Sequence, residues 1–186
     1  MVKATTTQQD WVDAAYSAFL ADGLAAVRVE PLARVLGATK GSFYWHFADR
    51  AALVGAVVER WEAQETDAVI ALAEAGGTPA QRLEALFGAV ARMRRTPATA
   101  LLYTQAAAEG VGDAVRRVSQ RRVDYLAGLL VELGHGPDEA RRRSLVALAT
   151  VLGLQQLEHV GLDALDDPGL VPTALAMVLA EPLSRP

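Results

Sequence analysis

The sequence alternates long helix-forming stretches with short breaks that contain glycine or proline. Apolar residues recur at three- and four-residue spacing, which is typical of amphipathic helices, and no stretch keeps the two-residue alternation of a half-buried strand. The breaks lie at Gly23, at Gly37, and around 76–79, 96–97, 110–112, 134–137 and 166–169. This pattern predicts an all-α fold of about nine helices.

The composition is that of a folded protein. With 186 residues, of which 52% are hydrophobic and 22% charged, the chain can bury a core. We expect a small N-terminal head, residues 1–50, and a larger body, residues 51–186. The absence of cysteine excludes disulfides, thiol catalysis and cysteine-based metal sites.

The sequence also bears on where the protein works. The first ten residues are polar and lack the apolar run of a signal peptide. The longest uncharged apolar stretch, 144–156, is shorter than the roughly 18 residues of a membrane span. We therefore expect a cytoplasmic protein with no membrane partner.

Three short helices are predicted near the N-terminus, over about 7–21, 29–36 and 39–45. Gly23 ends the first helix, and Gly37 makes a tight turn between the second and the third. Two short helices joined by a glycine turn form the arrangement in which the second helix can enter the major groove of DNA. The head is therefore a candidate helix-turn-helix.

The third helix opens with the small and polar groups that contact with DNA requires. Thr39, Lys40 and Ser42 offer polar groups, and Gly41 lets the backbone come close to a ligand. Tyr44 and His46 can reach phosphate oxygens on either side. We interpret the three other aromatic residues of this segment, Phe43, Trp45 and Phe47, as parts of the head's own core.

The segment from Gly41 to Phe47, Gly-Ser-Phe-Tyr-Trp-His-Phe, resembles the signature of the TetR family of transcriptional regulators. The resemblance continues through residues 48–53 and, upstream, through the first two predicted helices, and it covers roughly residues 8–60. It implies that residues 39–42 contact bases or the nearby backbone. It also implies that Tyr44, His46 and Arg50 bind phosphates, and that the protein is a repressor released from DNA by a small-molecule inducer.

The head departs from the family pattern at Arg28, where a serine or threonine usually caps the second helix. Either this cap is lost or the Arg28 guanidinium itself reaches a phosphate. The head is also neutral, since residues 1–50 hold five basic and five acidic residues within a chain of net charge −4. A neutral head predicts modest non-specific affinity for DNA and a need for two heads acting together.

The last two predicted helices, about 138–160 and 170–179, form a candidate dimer interface. The first carries no charge from Ser144 to Leu157, so we expect it to be buried on two sides. The resemblance implies a homodimer built on a four-helix bundle, which would read double-stranded DNA at a palindromic operator. The candidate interface residues are Leu145, Leu148, Leu152, Leu175, Val178 and Leu179.

The body combines aromatic and isolated polar residues with apolar segments, a mixture that suits a mostly apolar cavity. With the family resemblance, this mixture predicts an inducer pocket, although each residue taken alone also fits an ordinary core or surface position. The candidate pocket residues are Trp61, Phe87, Met93, Tyr103, Gln105, Tyr125, Gln155 and His159.

The residues also bear on two other functions. An enzyme is disfavoured because the three histidines lack metal-ligand helical spacing and no nucleophile motif is present. We expect no cofactor, no metal and no catalytic residue. The second alternative is a helical ligand-binding or scaffolding protein without DNA-binding activity, which the neutral head supports.

Overall fold

The computed structural model describes residues 6–92, 97–162, 167 and 169–180 of the chain. Every regular element in these ranges is helical. The all-α prediction is therefore confirmed.

The helices follow the predicted breaks closely. In chain order they are α1 Gln8–Asp22, a 3-10 turn Leu24–Ala26, α2 Val29–Val35, α3 Lys40–Phe43, α4 Arg50–Glu62, a π-helical turn Ala63–Asp67, α5 Ala68–Glu74, α6 Pro79–Arg92, α7 Pro97–Gln105, α8 Gly112–Glu132, α9 Pro137–His159 and α10 Leu170–Leu179. Because the helical assignment continues from α4 through the π-helical turn into α5, these three elements count as one helix. The described residues therefore form nine helices, as expected.

Local signals explain where the first helices begin and end. Thr7 and Asp10 form a reciprocal capping box at the start of α1, in which each side chain bonds the other residue's backbone amide. Gly23 and Gly37 adopt φ angles of 75° and 60°, in the region that favours glycine. Helix α3 is shorter than predicted, since it ends at Phe43 and the next three residues form a turn.

The chain forms two compact units. The described residues of the first unit are 6–63 and 97–116, and those of the second are 64–92, 117–162, 167 and 169–180. The predicted division into a DNA-binding domain of residues 1–50 and a ligand-binding domain of residues 51–186 concerns function, and it stays a prediction.

Aromatic side chains hold α3 in the first unit. Trp11 of α1 and Phe43 of α3 are fully buried and meet edge-on, with 5.3 Å between ring centroids, and Phe47 stacks on Phe43 at 5.5 Å. The core interpretation is thus confirmed for Phe43 and Phe47. It is wrong for Trp45, which is 88% exposed. Helix α3 ends at Phe43, and of the four residues that follow only Phe47 returns to the buried side.

Further along the first unit, the buried Trp61 indole N–H donates to the Thr99 hydroxyl at 3.3 Å, which links α4 to α7. Trp61 is therefore part of this unit's core. This hydrogen bond gives the buried indole N–H of Trp61 an acceptor.

The second unit has its own core between α6, α8, α9 and α10. Its fully or largely buried side chains are Leu83, Leu126, Leu129, Leu130, Ala140, Ala147 and Val178. The buried Arg143 bonds Glu139 in its own helix and donates to the Val178 carbonyl at 2.5 Å. This contact joins α9 to the end of α10, where a cation suits the unpaired carbonyls.

Among the described helices, none combines the length and the apolar character that crossing a membrane requires.

Candidate functional site

The start of α3 is held by two hydrogen bonds between Thr39 and Ser42. The Thr39 hydroxyl oxygen accepts from the Ser42 amide at 3.1 Å, and the Ser42 hydroxyl donates to the Thr39 carbonyl at 2.8 Å. Thr39 is therefore the N-cap of α3, as predicted. The two bonds fix the first turn of a helix that is only four residues long.

The outer side of α3 and the turn after it is exposed. Lys40, Gly41, Tyr44 and Trp45 all face solvent. A Cβ atom built on Gly41 would meet nothing closer than the Thr39 hydroxyl oxygen, at 3.7 Å. Packing therefore does not require a glycine at this position.

Lys40 forms an exposed ion pair with Glu30 of α2. The ammonium nitrogen lies 2.5 Å from a Glu30 carboxylate oxygen. This hydrogen bond and the opposite charge raise the pKa of Lys40 and lower the pKa of Glu30. An exposed pair of this kind contributes little to stability, so another anion can replace Glu30 at low cost.

His46 is partly buried and contacts the chain ahead of α1. Its Nε2 atom lies 2.9 Å from the Thr6 carbonyl, which can only accept. The Nε2 proton is therefore donated to Thr6, and in the neutral ring Nδ1 has no proton to offer. As a neutral ring His46 positions the N-terminal segment, and it can donate to an anion only when protonated.

Arg50 is engaged by three groups of its own unit. Its Nε donates to the Val27 carbonyl at 2.6 Å, its Nη2 to the Leu24 carbonyl at 2.8 Å, and its Nη1 to the Glu109 carboxylate at 2.7 Å. These bonds tie the start of α4 to the segment before α2 and to the residues after α7. The side chain therefore has a structural role that the sequence did not reveal.

Arg28 occupies the N-cap position of α2 with extended backbone angles and makes no side-chain capping hydrogen bond. The side-chain cap of α2 is therefore lost, and contact of Arg28 with a phosphate stays a prediction. Its side chain is exposed, so the guanidinium faces solvent beside the helix-turn-helix.

A stretch of exposed apolar side chains lies on α9, the residue after it, and α10, and we call it the α9–α10 apolar surface. It comprises Leu145, Val146, Leu157, Val160 and Met177. Leu179, at the end of α10, is also exposed. Because α9 and α10 pack against each other, these exposed apolar side chains are candidates for an interaction site.

The other predicted interface residues lie differently. Val178 is only 6% exposed and belongs to the core of the second unit, and Leu175 packs against that core. Leu148 lines a cavity of the second unit, and both Leu148 and Leu152 are half-buried. Val178 is therefore a core residue of its own unit, whereas the part of Leu148, Leu152 and Leu175 in an interface stays a prediction.

The second unit contains a cavity of about 110 Å³ between the π-helical turn, α5, α6, α8 and α9. Most of its wall is aliphatic or aromatic. The lining residues are Glu65, Thr66, Val69, Ile70, Leu86, Phe87, Val90, Arg122, Tyr125, Leu126, Ser144, Ala147, Leu148, Val151 and Gln155.

Three of the eight predicted pocket residues, Phe87, Tyr125 and Gln155, line this cavity. Trp61, Tyr103 and Gln105 belong instead to the first unit, where the Gln105 side-chain oxygen accepts from the Leu24 amide at 3.0 Å. His159 is exposed and does not line the cavity, and Met93 lies outside the described residues.

Several lining residues were missed by the sequence reasoning. Glu65, Thr66 and Arg122 stand on helical segments without any local mark of a cavity. A usable signal did exist on α9, where Leu148, Val151 and Gln155 are spaced by three and four residues and so share one face.

Comparison with known proteins links the helix-turn-helix to one family. Residues 12–57 match the family model described as bacterial regulatory proteins, tetR family. Over 56 residues, the chain is 36% identical to the HTH-type transcriptional regulator SrpR of Pseudomonas putida. The matched segment covers 30% of this chain and 26% of SrpR, so the chain spans about a quarter of that relative.

Solved structures share the fold over nearly the whole chain. The reduced form of Escherichia coli NemR has a TM-score of 0.76 at 18% identity, covering 94% of this chain and 96% of NemR. BioQ, solved with its double-stranded DNA operator, has a TM-score of 0.53 at 22% identity, covering 95% of this chain and 99% of BioQ. At these identities the likeness concerns the fold alone.

Proposed function

We propose that this chain is a homodimeric DNA-binding transcriptional repressor of the TetR family that a small-molecule inducer releases from its operator, a role supported by the match of residues 12–57 to the tetR family model. The observation that carries the proposal is the exposed outer side of α3, where Lys40, Gly41 and Tyr44 face solvent on a helix anchored from within by Phe43. A recognition helix needs this combination of a rigid inner side and an accessible outer side.

The hydrogen bonds at the start of α3 suggest what its two hydroxyls can do. Thr39 uses its oxygen as an acceptor within the helix, so its proton remains for a phosphate oxygen. Ser42 donates its proton to the Thr39 carbonyl, so its oxygen remains to accept from a base amino group. We assign phosphate contact to Thr39 and base contact to Ser42.

The charged residues of the head take unequal roles in this proposal. Lys40 reads bases after it leaves Glu30, and the exposed Arg28 guanidinium reaches a phosphate. Tyr44 binds phosphate through its exposed hydroxyl, and the exposed indole of Trp45 packs on the DNA backbone. Arg50 acts chiefly by positioning the head, because three of its five N–H groups already donate within the chain.

The α9–α10 apolar surface supports a dimer. Burying apolar surface is worth roughly 25 cal/mol per Å², so side chains such as Val146 and Met177 favour association with a second copy. A twofold dimer would present two recognition helices roughly 34–36 Å apart and would read a palindromic operator. Two heads acting together also compensate for the neutral charge of each.

The cavity of the second unit supports an inducer site, since it is mostly apolar and holds a few polar groups. A ligand that binds more tightly to the form with low operator affinity releases the DNA. By reciprocity, the operator weakens ligand binding by the same factor.

The test begins with selection of duplexes from a random-sequence library by the full chain. Fluorescence anisotropy with the selected duplex then measures affinity at about 50 mM and about 200 mM salt. A regulator binds the selected duplex specifically and more weakly at the higher salt concentration. Lys40→Ala should lower affinity and change the sequence preference, because base contacts carry specificity.

Two outcomes would count against the proposal. If no duplex is enriched and none binds at either salt concentration, the alternative of a ligand-binding or scaffolding protein without DNA-binding activity is favoured. If Lys40→Ala lowers affinity equally for every sequence, Lys40 contacts only phosphate.

A further inference from the structure

The polar groups around the cavity are not equally free to meet a ligand. The Ser144 hydroxyl donates to the Ala140 carbonyl at 2.8 Å, and the Tyr125 hydroxyl donates to Glu74 at 2.7 Å. Both protons are therefore committed within the protein. Neither group can donate to a ligand without giving up a bond that it already makes.

Arg122 also bonds within the wall. Its Nε donates to the Thr66 hydroxyl oxygen at 2.9 Å, and its Nη2 to the Glu65 carbonyl at 3.2 Å. The guanidinium thus braces the π-helical turn against α8. Its charge is accompanied by the carboxyl group of Glu65, so the cavity holds one cationic and one acidic group.

Gln155 differs from these residues. Its side-chain oxygen is buried, and no hydrogen bond reaches it from any described residue. A buried acceptor without a donor carries a desolvation cost that a hydrogen bond would remove. Because Gln155 also lines the cavity, a ligand there could supply the missing donor.

The remaining wall sets the size and polarity of such a ligand. A volume of about 110 Å³ suits a molecule of about one ring, since an apolar cavity of roughly 150 Å³ is known to hold benzene. Phe87, Leu86, Val90 and Val151 present only apolar surface. Burial also raises the pKa of Glu65, a sign that the surroundings disfavour charge.

Resting on the proposed inducer site, we infer that the cavity takes a small, uncharged, mostly apolar molecule whose single hydroxyl group donates to the Gln155 side-chain oxygen. Phenol represents this class. Toluene has nearly the same shape without the donor, and benzoate has the same ring with a negative charge.

The test is titration calorimetry of the full chain without DNA, with phenol, toluene and benzoate as probes. Gln155→Leu keeps the approximate volume and removes the acceptor, so phenol should bind about tenfold more weakly, the effect of one lost hydrogen bond. Toluene should bind as well as before or better, which also verifies that the cavity is intact. Gln120→Leu, the same change at an exposed position outside the cavity, should alter neither affinity.

Three results would overturn the inference: no binding of phenol, an equal effect of Gln155→Leu on phenol and toluene, or tighter binding of benzoate than of phenol. A parallel measurement of operator affinity separates this inference from the proposed function. Phenol that binds through Gln155 and leaves operator affinity unchanged supports the ligand class and counts against the inducer role.

Discussion

Gly41→Ala separates the stability of the head from its function. Gly41 lies inside α3, is exposed, and has no atom within 3.7 Å of an added Cβ. Alanine is favoured over glycine within a helix by roughly 0.5–1 kcal/mol. For a chain of this length that gain corresponds to a rise in Tm of about 1–4 °C, measurable by circular dichroism.

The same methyl group would stand between the α3 backbone and DNA. If the recognition helix approaches DNA through Gly41, operator affinity in the anisotropy assay should fall by about tenfold or more, equivalent to roughly 1.4 kcal/mol. Gly55→Ala is the matched control, because Gly55 lies within α4 with nothing within 4 Å of an added Cβ. It should raise Tm similarly and leave DNA binding unchanged.

The two expected effects of Gly41→Ala, on stability and on DNA binding, can be refuted separately. A variant that binds the operator as tightly as the original protein refutes the close approach at Gly41. A variant with a lower Tm refutes the conclusion that the site has room for a side chain.

Three further changes test other parts of the molecule. Arg50→Ala should lower stability by about 1–3 kcal/mol, because the Val27 carbonyl loses the guanidinium donor and the largely buried Glu109 carboxylate loses its cation. An unchanged Tm in thermal unfolding would mean that Arg50 serves only the DNA. Val146→Asp should give folded monomers by light scattering, and a Val146→Asp dimer would contradict the proposed interface. Val178→Asp should instead lower the free energy of unfolding by more than about 3 kcal/mol, because it places a charge in the core. Burial raises the pKa of Glu65, so the folded chain holds the carboxyl proton more tightly than the unfolded chain does. The ionised carboxylate therefore destabilises the fold at neutral pH, and this loss of stability disappears as the pH falls. Glu65→Gln should therefore raise Tm at about pH 8 and change it little below about pH 4, and equal effects at both would contradict this cause.

The helical architecture could be predicted closely because its signals are local. Capping residues, glycine turns and proline positions depend on a few neighbouring residues, and Thr39, Gly23 and Gly37 act in the structure as the sequence indicated. The length of α3 was overestimated, since its last turn depends on how Phe43 packs against Trp11 and Phe47.

The pocket and the interface were harder to predict, because both depend on which helices pack together. Leu148 and Val178 carry the apolar character expected of an interface, yet one lines a cavity and the other is buried in its own unit. Composition cannot separate these cases, since an apolar side chain is equally suited to a core, a cavity and a partner surface.

The sequence by itself determined that this chain is helical, that a glycine turn at Gly37 joins two short helices, and that Gly41 to Phe47 carry the family resemblance. Only the tertiary structure decided that Trp45 is exposed, that Arg50 is held by Leu24, Val27 and Glu109, and that the Gln155 oxygen is buried without a donor. Helix signals act within a few residues along the chain, whereas exposure and hydrogen-bond partners depend on residues brought together from far apart.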